Sequence, residues 1–393
     1  YFARINALLK REGPGHPVMM VDLDLLNRNL DALLSRLPAG CAYRVVAKSL
    51  PSIPLIRHIF SRAKTHRAMV FHRPYLNLIA RKLPQTDVLL GKPFPVSAAR
   101  RFYAEIDAAS AFDPARQVQW LIDTEQRLRQ YGALARELGV RMRLNLEIDV
   151  GFHRGGFAEP EQLAPVLNAI EENSAHLTFS GFMGYDPHVA HAGKVKMSVK
   201  KAHARAVARY RAFVDFVKEK HPGQFRADLT FNGAGSPTYP LYRNVLVLND
   251  ISVGSALVKP SDFDLDILSH HLPAVFIAAP VLKKLPGVTI PFLERLTFLF
   301  PIFNRSRAMT LFIYGGYWKA DPVYPPGLVY NPLFGRSSNQ EMLNGPAGLS
   351  IEVDDHVFLR PTQSEFVMLH FGDLWVLQQG RFIDRWPVFR QEA

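Results

Sequence analysis

Residues 118–147 read VQWLIDTEQRLRQYGALARELGVRMRLNLE, and this stretch decides the fold. It opens on a short β-branched and aromatic run, Val118 to Ile122, of the length of a buried strand. From Thr124 to Leu138 the apolar residues Leu128, Tyr131, Leu134 and Leu138 fall three or four apart, which is the spacing of one helix face. Gly139 stops that helix, and a second apolar run, Arg141 to Glu147, follows it. Strand, helix and strand in such quick succession make a crossover unit, and a crossover lays its two strands parallel.

Working outward in both directions, the same alternation recurs from Tyr43 to Ser255. The expected strands are Tyr43 to Lys48, Arg67 to Phe71, Asp87 to Leu90, Val118 to Ile122, Arg141 to Glu147, Leu177 to Met183, Asp228 to Asn232 and Ile251 to Ser255. Eight repeats of this unit predict a closed (β/α)8 barrel of the TIM type. Beyond Pro260 helical periodicity fades. Short apolar runs appear at Ala274 to Ala278, Met309 to Tyr314, His356 to Leu359, Phe366 to Leu369 and Leu374 to Gln378, the texture of a C-terminal, mainly-β domain. The expected division is a barrel over residues 17–265 and a β domain over 266–393, joined by residues 1–16. Val18 to Asp22 precedes the barrel strands and is free to pair in the β domain. Lys319 to Gly348, rich in Pro, Gly and Asn, reads as a long loop.

Bulk properties remove several classes. At 393 residues, 48% hydrophobic and 21% charged, the chain is an ordinary globular protein with a large core. Lys and Arg number 47 against 35 Asp and Glu, giving +12, but the excess is spread along helical stretches without a nucleic-acid motif, so anionic small ligands are the expected partners. Cys41 is the one cysteine, which rules out an internal disulfide and the paired-cysteine zinc and redox motifs. The apolar segments Leu272 to Leu282 and Leu296 to Phe303 are broken by Pro280 and Pro301 and are too short to span a bilayer. The chain opens at Tyr1 rather than a methionine, which leaves room for a processed leader upstream; the expectation is a cytoplasmic protein.

In a βα barrel the working groups lie at the carboxyl ends of the strands. Those ends carry Lys48; Glu147, Asp149, His153 and Arg154; Tyr185, Asp186 and His188; and Asn232, Gly233, Gly235, Ser236 and Thr238. Lys48 leaves an apolar strand, where desolvation favours the neutral, nucleophilic amine and suits a Schiff base; the bland alternative is a lysine that snorkels to water. Phe231-Asn-Gly-Ala-Gly-Ser-Pro-Thr238 sets two glycines and two hydroxyls directly after a strand, the composition of a backbone phosphate cradle or of a plain turn. Arg154 offers a planar donor to a ring oxygen or carboxylate, or simply bonds neighbouring loop groups. Tyr185 and His188 are candidates for a phosphate donor and an acid/base.

Six segments in order carry a resemblance: Val21-Asp-Leu-Asp24, Val45-Val-Ala-Lys48, Val150-Gly-Phe-His-Arg-Gly155, Gly181-Phe-Met-Gly-Tyr-Asp-Pro-His188, Asn232-Gly-Ala-Gly-Ser-Pro-Thr238 and Asp250-Ile-Ser-Val-Gly-Ser255. Together they resemble the D-threonine aldolase and D-serine dehydratase group of the alanine-racemase-like pyridoxal-phosphate enzymes, from about Met20 to Val258 and more weakly to Phe389. The resemblance implies pyridoxal 5'-phosphate as cofactor, with Lys48 as the Schiff-base lysine that also takes the substrate α-proton. It places Arg154 and Tyr185 toward the cofactor, with Asn232 beside them, and Gly233, Gly235 and Ser236 on its phosphate. It also implies a homodimer acting on a small D-amino acid. Gly315-Gly-Tyr-Trp-Lys-Ala320 resembles the second-domain strand that faces the site, which makes Tyr317 a candidate substrate contact.

Two departures shape the expected reaction. Alanine racemases set an arginine against the pyridine nitrogen at the position that Ser252 holds here, and a neutral partner there leaves a stronger electron sink. That favours elimination or retro-aldol cleavage over racemisation. Where the group carries a His-x-Cys or His-x-Asp metal pair, this chain has Pro361-Thr-Gln-Ser-Glu365. Gln363 and Glu365 then stand as candidate ligands for a hard divalent ion, or Glu365 serves without metal as the acid that protonates a leaving hydroxyl. The expected activity is a lyase of the D-serine dehydratase type. The alternatives are D-threonine aldolase-like cleavage, amino-acid racemisation, and a non-catalytic pyridoxal-phosphate-binding protein.

Overall fold

The computed structural model describes residues 1–107, 110–287 and 308–390, so the apolar run Leu296 to Phe303 lies outside the described residues. The chain forms two compact units. One comprises Leu30–Ala256, Leu265–His270 and the residues from Phe389; the other comprises Tyr1–Asn29, Leu257–Asp264 and His271–Val388.

The first unit is a closed barrel of eight parallel strands: β2 (Ala42–Val46), β3 (Arg67–Val70), β4 (Asp87–Leu90), β5 (Val118–Ile122), β6 (Met142–Glu147), β7 (Leu177–Gly184), β8 (Thr230–Gly233) and β9 (Asp250–Val253). Ring closure is the pairing of β2 with β9, in register from Ala42↔Asp250 to Val45↔Val253. The crossover helices form because one face of each is apolar. In Glu125–Leu138, Leu128, Tyr131, Leu134 and Ala135 are buried, the Thr124 side chain accepts from the Arg127 amide at the start, and Gly139 ends it in the left-handed region. No helix among the described residues is long and apolar enough to cross a membrane.

The second unit is a mainly-β sheet with nine strands among the described residues. Its strands are β1 (Val18–Asp22), β10 (Val275–Pro286), β11 (Met309–Tyr314), β12 (Ala320–Tyr324), β13 (Val329–Tyr330), β14 (Gln340–Gly345), β15 (His356–Pro361), β16 (Asp373–Gln378) and β17 (Arg381–Pro387). β1 lies inside this sheet, antiparallel to β10 and parallel to β16. The N-terminal helix Phe2–Glu12 buries Ile5 and Leu9 on a core made by Met20, Phe276, Phe358 and Trp375.

Three local expectations are corrected. The first barrel strand ends at Val46, and Lys48 sits in the 3-10 turn Ala47–Ser49 that follows it. Phe366 to Leu369 is not a strand: Ser364–Val367 and Met368–Phe371 are successive helical turns that bury Ser364, Val367 and Met368 and leave Phe366 out, a spacing of three to four rather than two. The Lys319 to Gly348 segment is not a plain loop but holds β12, β13 and β14, whose apolar positions are too few to announce a strand without their distant partners.

Candidate active site

The carboxyl ends of the barrel strands bring the expected residues together in a chain of contacts. After β2, the Lys48 amine lies 4.4 Å from the centre of the Phe71 ring. Its turn presses on the end of β9: a methyl group on Gly254 would come within 2.8 Å of the Cβ atoms of both Ser49 and Val46, so no larger residue fits there. The amides of Gly254 and Ala256 donate to Ser236 Oγ at 3.3 and 3.0 Å, which ties β9 to the turn after β8. In that turn a methyl on Gly235 would meet Cε2 of Tyr185 at 2.6 Å, so the glycine is what lets the phenol ring that follows β7 come this close to the backbone.

Tyr185 leads on to the loop after β6. The Arg154 guanidinium lies 5.2 Å from the centre of the Tyr185 ring, 5.3 Å from that of Phe152, and 3.8 Å from Glu147. Phe152 stacks on His188 with centroids 6.0 Å apart. Asp149 organises the loop, accepting from the amides of Gly151 (2.8 Å) and His153 (3.0 Å) and bonding His153 Nδ1 at 2.6 Å. Partial burial alone raises the Asp149 carboxyl, but the two amides and the His153 ring outweigh it and leave it below the usual carboxylate range. Burial pushes Glu147 the other way, upward, with Asp123 and Asp149 adding to the rise and Arg154 opposing it. Burial lowers His188, and its Nδ1 is buried with no partner.

Inside the barrel Asn232 Nδ2 donates to Ser252 Oγ at 2.8 Å and to Asp250 Oδ1 at 2.6 Å. Both Asn232 and Ser252 are buried. Because its oxygen already accepts from Asn232, the hydroxyl proton of Ser252 is directed to another acceptor. The remaining sequence candidates belong to the β unit. Tyr317 follows β11 with φ 55°, 66% exposed, its amide donating to Glu341 Oε2 at 2.9 Å. Gln363 precedes the helical turn that carries Glu365, with no side-chain bond to it. No group of three or more His, Cys, Asp or Glu side chains suited to a metal ion occurs among the described residues.

Sequence reasoning missed Phe71 and Phe152, whose rings line the lysine and the arginine; an aromatic one residue past a barrel strand, or inside a Gly-Phe-His-Arg run, was the available signal. It also missed Asp123, whose Oδ1 is buried without a partner at the end of β5.

The model of the alanine racemase N-terminal domain matches residues 21–262, well over half of the chain. The chain belongs to the alanine racemase N-terminal domain family. That family's barrel binds pyridoxal phosphate and houses fold-type III enzymes. Among solved structures, D-threonine aldolase from Filomicrobium marinum superposes with a TM-score of 0.73 at 16% identity, over 95% of this chain and 97% of that one. D-threo-3-hydroxyaspartate dehydratase from Delftia sp. HT23 gives 0.71 at 13% identity over 98% and 100%. An alanine racemase of Clostridium difficile 630 gives 0.68 at 15% identity over 94% and 97%. Identities this low carry the alanine-racemase-like fold and not a substrate. No curated protein sequence matches the chain.

Proposed function

We propose that the chain is a pyridoxal-phosphate-dependent lyase acting on a small D-amino acid, in the manner of a D-serine dehydratase. The observation that carries the reading is the convergence at one barrel mouth of the Lys48 amine, the glycine-lined turn Gly233–Ser236 and the Ser252 hydroxyl. These residues suit a phosphorylated pyridine aldehyde: an amine beside an aromatic wall, a turn where side chains are excluded by contact, and a hydroxyl whose proton is free to meet a ring nitrogen.

The chemistry such a cofactor supplies when bound is an aldehyde for an amine and a conjugated ring that accepts the electron pair left at the α-carbon. Lys48 would be the residue that holds the aldehyde end of the cofactor, and its amine, once displaced by the substrate amine, would be the base that takes the α-proton at Nζ. The backbone of Gly233, Gly235 and Ser236 would hold the phosphate. Tyr185, kept against Gly235, and Arg154, kept over Tyr185, would orient the ring. Ser252, oriented by Asn232, would donate to the ring nitrogen without adding a positive charge. His188, lowered by burial and unpartnered at Nδ1, is a neutral base able to hold a proton. The parts of Tyr317, Gln363 and Glu365 follow from the resemblance: contact with substrate, and handling of the β-hydroxyl directly or through a hard divalent ion. A homodimer belongs to the same proposal.

The test is turnover of D-serine, D-threonine and D-alanine by purified holoprotein, with and without chelator. Pyruvate and ammonia from D-serine are the expected products. Glycine and an aldehyde from D-threonine would shift the reading to retro-aldol cleavage, L-alanine from D-alanine to racemisation, and no turnover of any D-amino acid would remove it.

A further inference from the structure

Next to Tyr185 stands a group that the reaction above does not use. The Asp186 side chain is completely buried, and it receives hydrogen bonds from two hydroxyls: Thr238 Oγ1 at 2.6 Å and the Tyr242 phenol at 2.8 Å. Burial pushes this carboxyl up, and the two hydroxyl bonds pull against that rise. Thr238 closes the glycine turn, its amide bonding back to the Gly235 carbonyl at 3.0 Å. Tyr242 lies in the 3-10 turn Tyr239–Tyr242 that follows, and the His203 ring meets it edge-on at 4.6 Å. Two consecutive residues of the β7 end therefore grip the turn after β8 at two points: Tyr185 against Gly235, and Asp186 on Thr238.

The turn needs holding. Ala234 adopts φ 57°, a left-handed conformation that costs a residue with a Cβ roughly 1–2 kcal/mol and persists only where the surroundings enforce it. A cradle for an anion also aims several amides at one point, an arrangement that an unrestrained loop would relax.

We propose that Asp186 is a positioning residue that keeps the Gly233–Thr238 turn in the shape of a phosphate cradle before any ligand arrives, so that the chain selects a phosphorylated aldehyde cofactor over its unphosphorylated counterpart. The inference rests on the cofactor reading above and adds to it a residue that touches neither cofactor nor substrate. It acts through Thr238, and its effect is confined to the phosphate end of the ligand.

The experiment titrates cofactor-free protein with pyridoxal phosphate, with pyridoxal and with inorganic phosphate, reading the absorbance spectrum for the first two and the melting midpoint for all three. Thr238→Val removes one hydroxyl at nearly constant shape, Thr238→Ser restores it, and Asp186→Asn neutralises the carboxyl. The expected result is a loss of about tenfold in affinity for pyridoxal phosphate and for inorganic phosphate in Thr238→Val, the size of one hydrogen bond to a buried acid. Pyridoxal binding is unchanged, Thr238→Ser recovers, and Asp186→Asn shifts in the same direction. Equal losses for pyridoxal and its phosphate, or no loss for either, overturn the proposal while leaving the cofactor reading intact. Wild-type protein that binds inorganic phosphate in a Thr238-dependent way, yet never takes up pyridoxal phosphate, sinks the cofactor reading and leaves the cradle standing. Wild type that binds neither sinks both.

Discussion

Some buried polar side chains at the carboxyl end of the barrel lack the partners that Arg44 finds near the amino end. At the amino ends of the strands Arg44 is completely buried, yet each of its donors is engaged: Asp250 at 2.8 and 3.0 Å, Asp87 at 2.8 Å, and the carbonyls of Ala68 and Asp87 at 3.2 and 2.9 Å. Arg67 and Arg143 complete the pairing of the two acids from outside. At the carboxyl ends Asp123 Oδ1 and His188 Nδ1 are buried without a partner, and Arg154 stands 3.8 Å from Glu147, beyond hydrogen-bond length. The Arg44 network meets the site at one point, Asp250 Oδ1, which also accepts from Asn232; polar groups left short of partners are where a ligand completes the inventory.

The sharpest way to break this contrast is a pair of substitutions, one at each end. Lys48→Ala should reduce turnover by at least about 10⁴-fold, roughly 5 kcal/mol of barrier, while moving the melting midpoint little. Steady-state assay and a melting curve on the same preparation check it, and a large fall in stability would mean that the top is as structural as the bottom. Arg44→Met should do the reverse. It leaves Asp250 and Asp87 buried without their main cation, which costs about 3–5 kcal/mol and lowers the melting midpoint by roughly 10 °C, while the surviving folded fraction keeps its cofactor spectrum.

Acid sharpens the same comparison. Burial raises Asp87, but Arg44 and Arg143 outweigh it and hold the carboxyl below its ordinary 3.8. A depressed folded value means that its contribution is complete above pH 3.8 and is lost as pH falls through the folded value, so the bottom network should fail on acidification below that point. A pH-dependent denaturation series measures it, and Asp87→Asn should flatten the acid limb. Glu147 has the opposite sign. Its folded value lies above the ordinary 4.5, so its contribution is present below 4.5 and is lost as pH rises through the folded value. Glu147→Gln should therefore leave cofactor-free protein equally or slightly more stable at pH 7, within about 1 kcal/mol, as read by chemical denaturation.

The sequence made the top of the barrel legible and hid the bottom. β4 and β5 coincide with the apolar runs Asp87 to Leu90 and Val118 to Ile122, because a strand buried on both faces needs a continuous run and a helix beside it needs periodicity. The strand-end residues announced themselves because polar groups at that position have few structural reasons to be there. Arg44 and Asp250 gave no such sign. They pair across 206 residues, and each alone reads as an odd charge in an apolar run. The same distance problem hid β12 and β14, whose pairing with β15 and β11 no local window contains. Lys48 fell past the strand rather than at its end because the approach of Gly254 to Val46 and Ser49 turns the chain there, a contact between the first and last barrel strands.

The placement of β1 bears on how the chain is made. Val21 pairs with Val275, and Met20 with Trp375, so a buried strand that leaves the ribosome well before its partners must wait for residues about 250 and 350 positions downstream. At ordinary translation speeds that is on the order of half a minute, during which Val18–Asp22 is an uncovered strand edge of the kind chaperones bind and neighbouring nascent chains capture. Polysome crowding should accordingly hurt the yield of this protein more than that of a barrel whose sheet closes in order of synthesis.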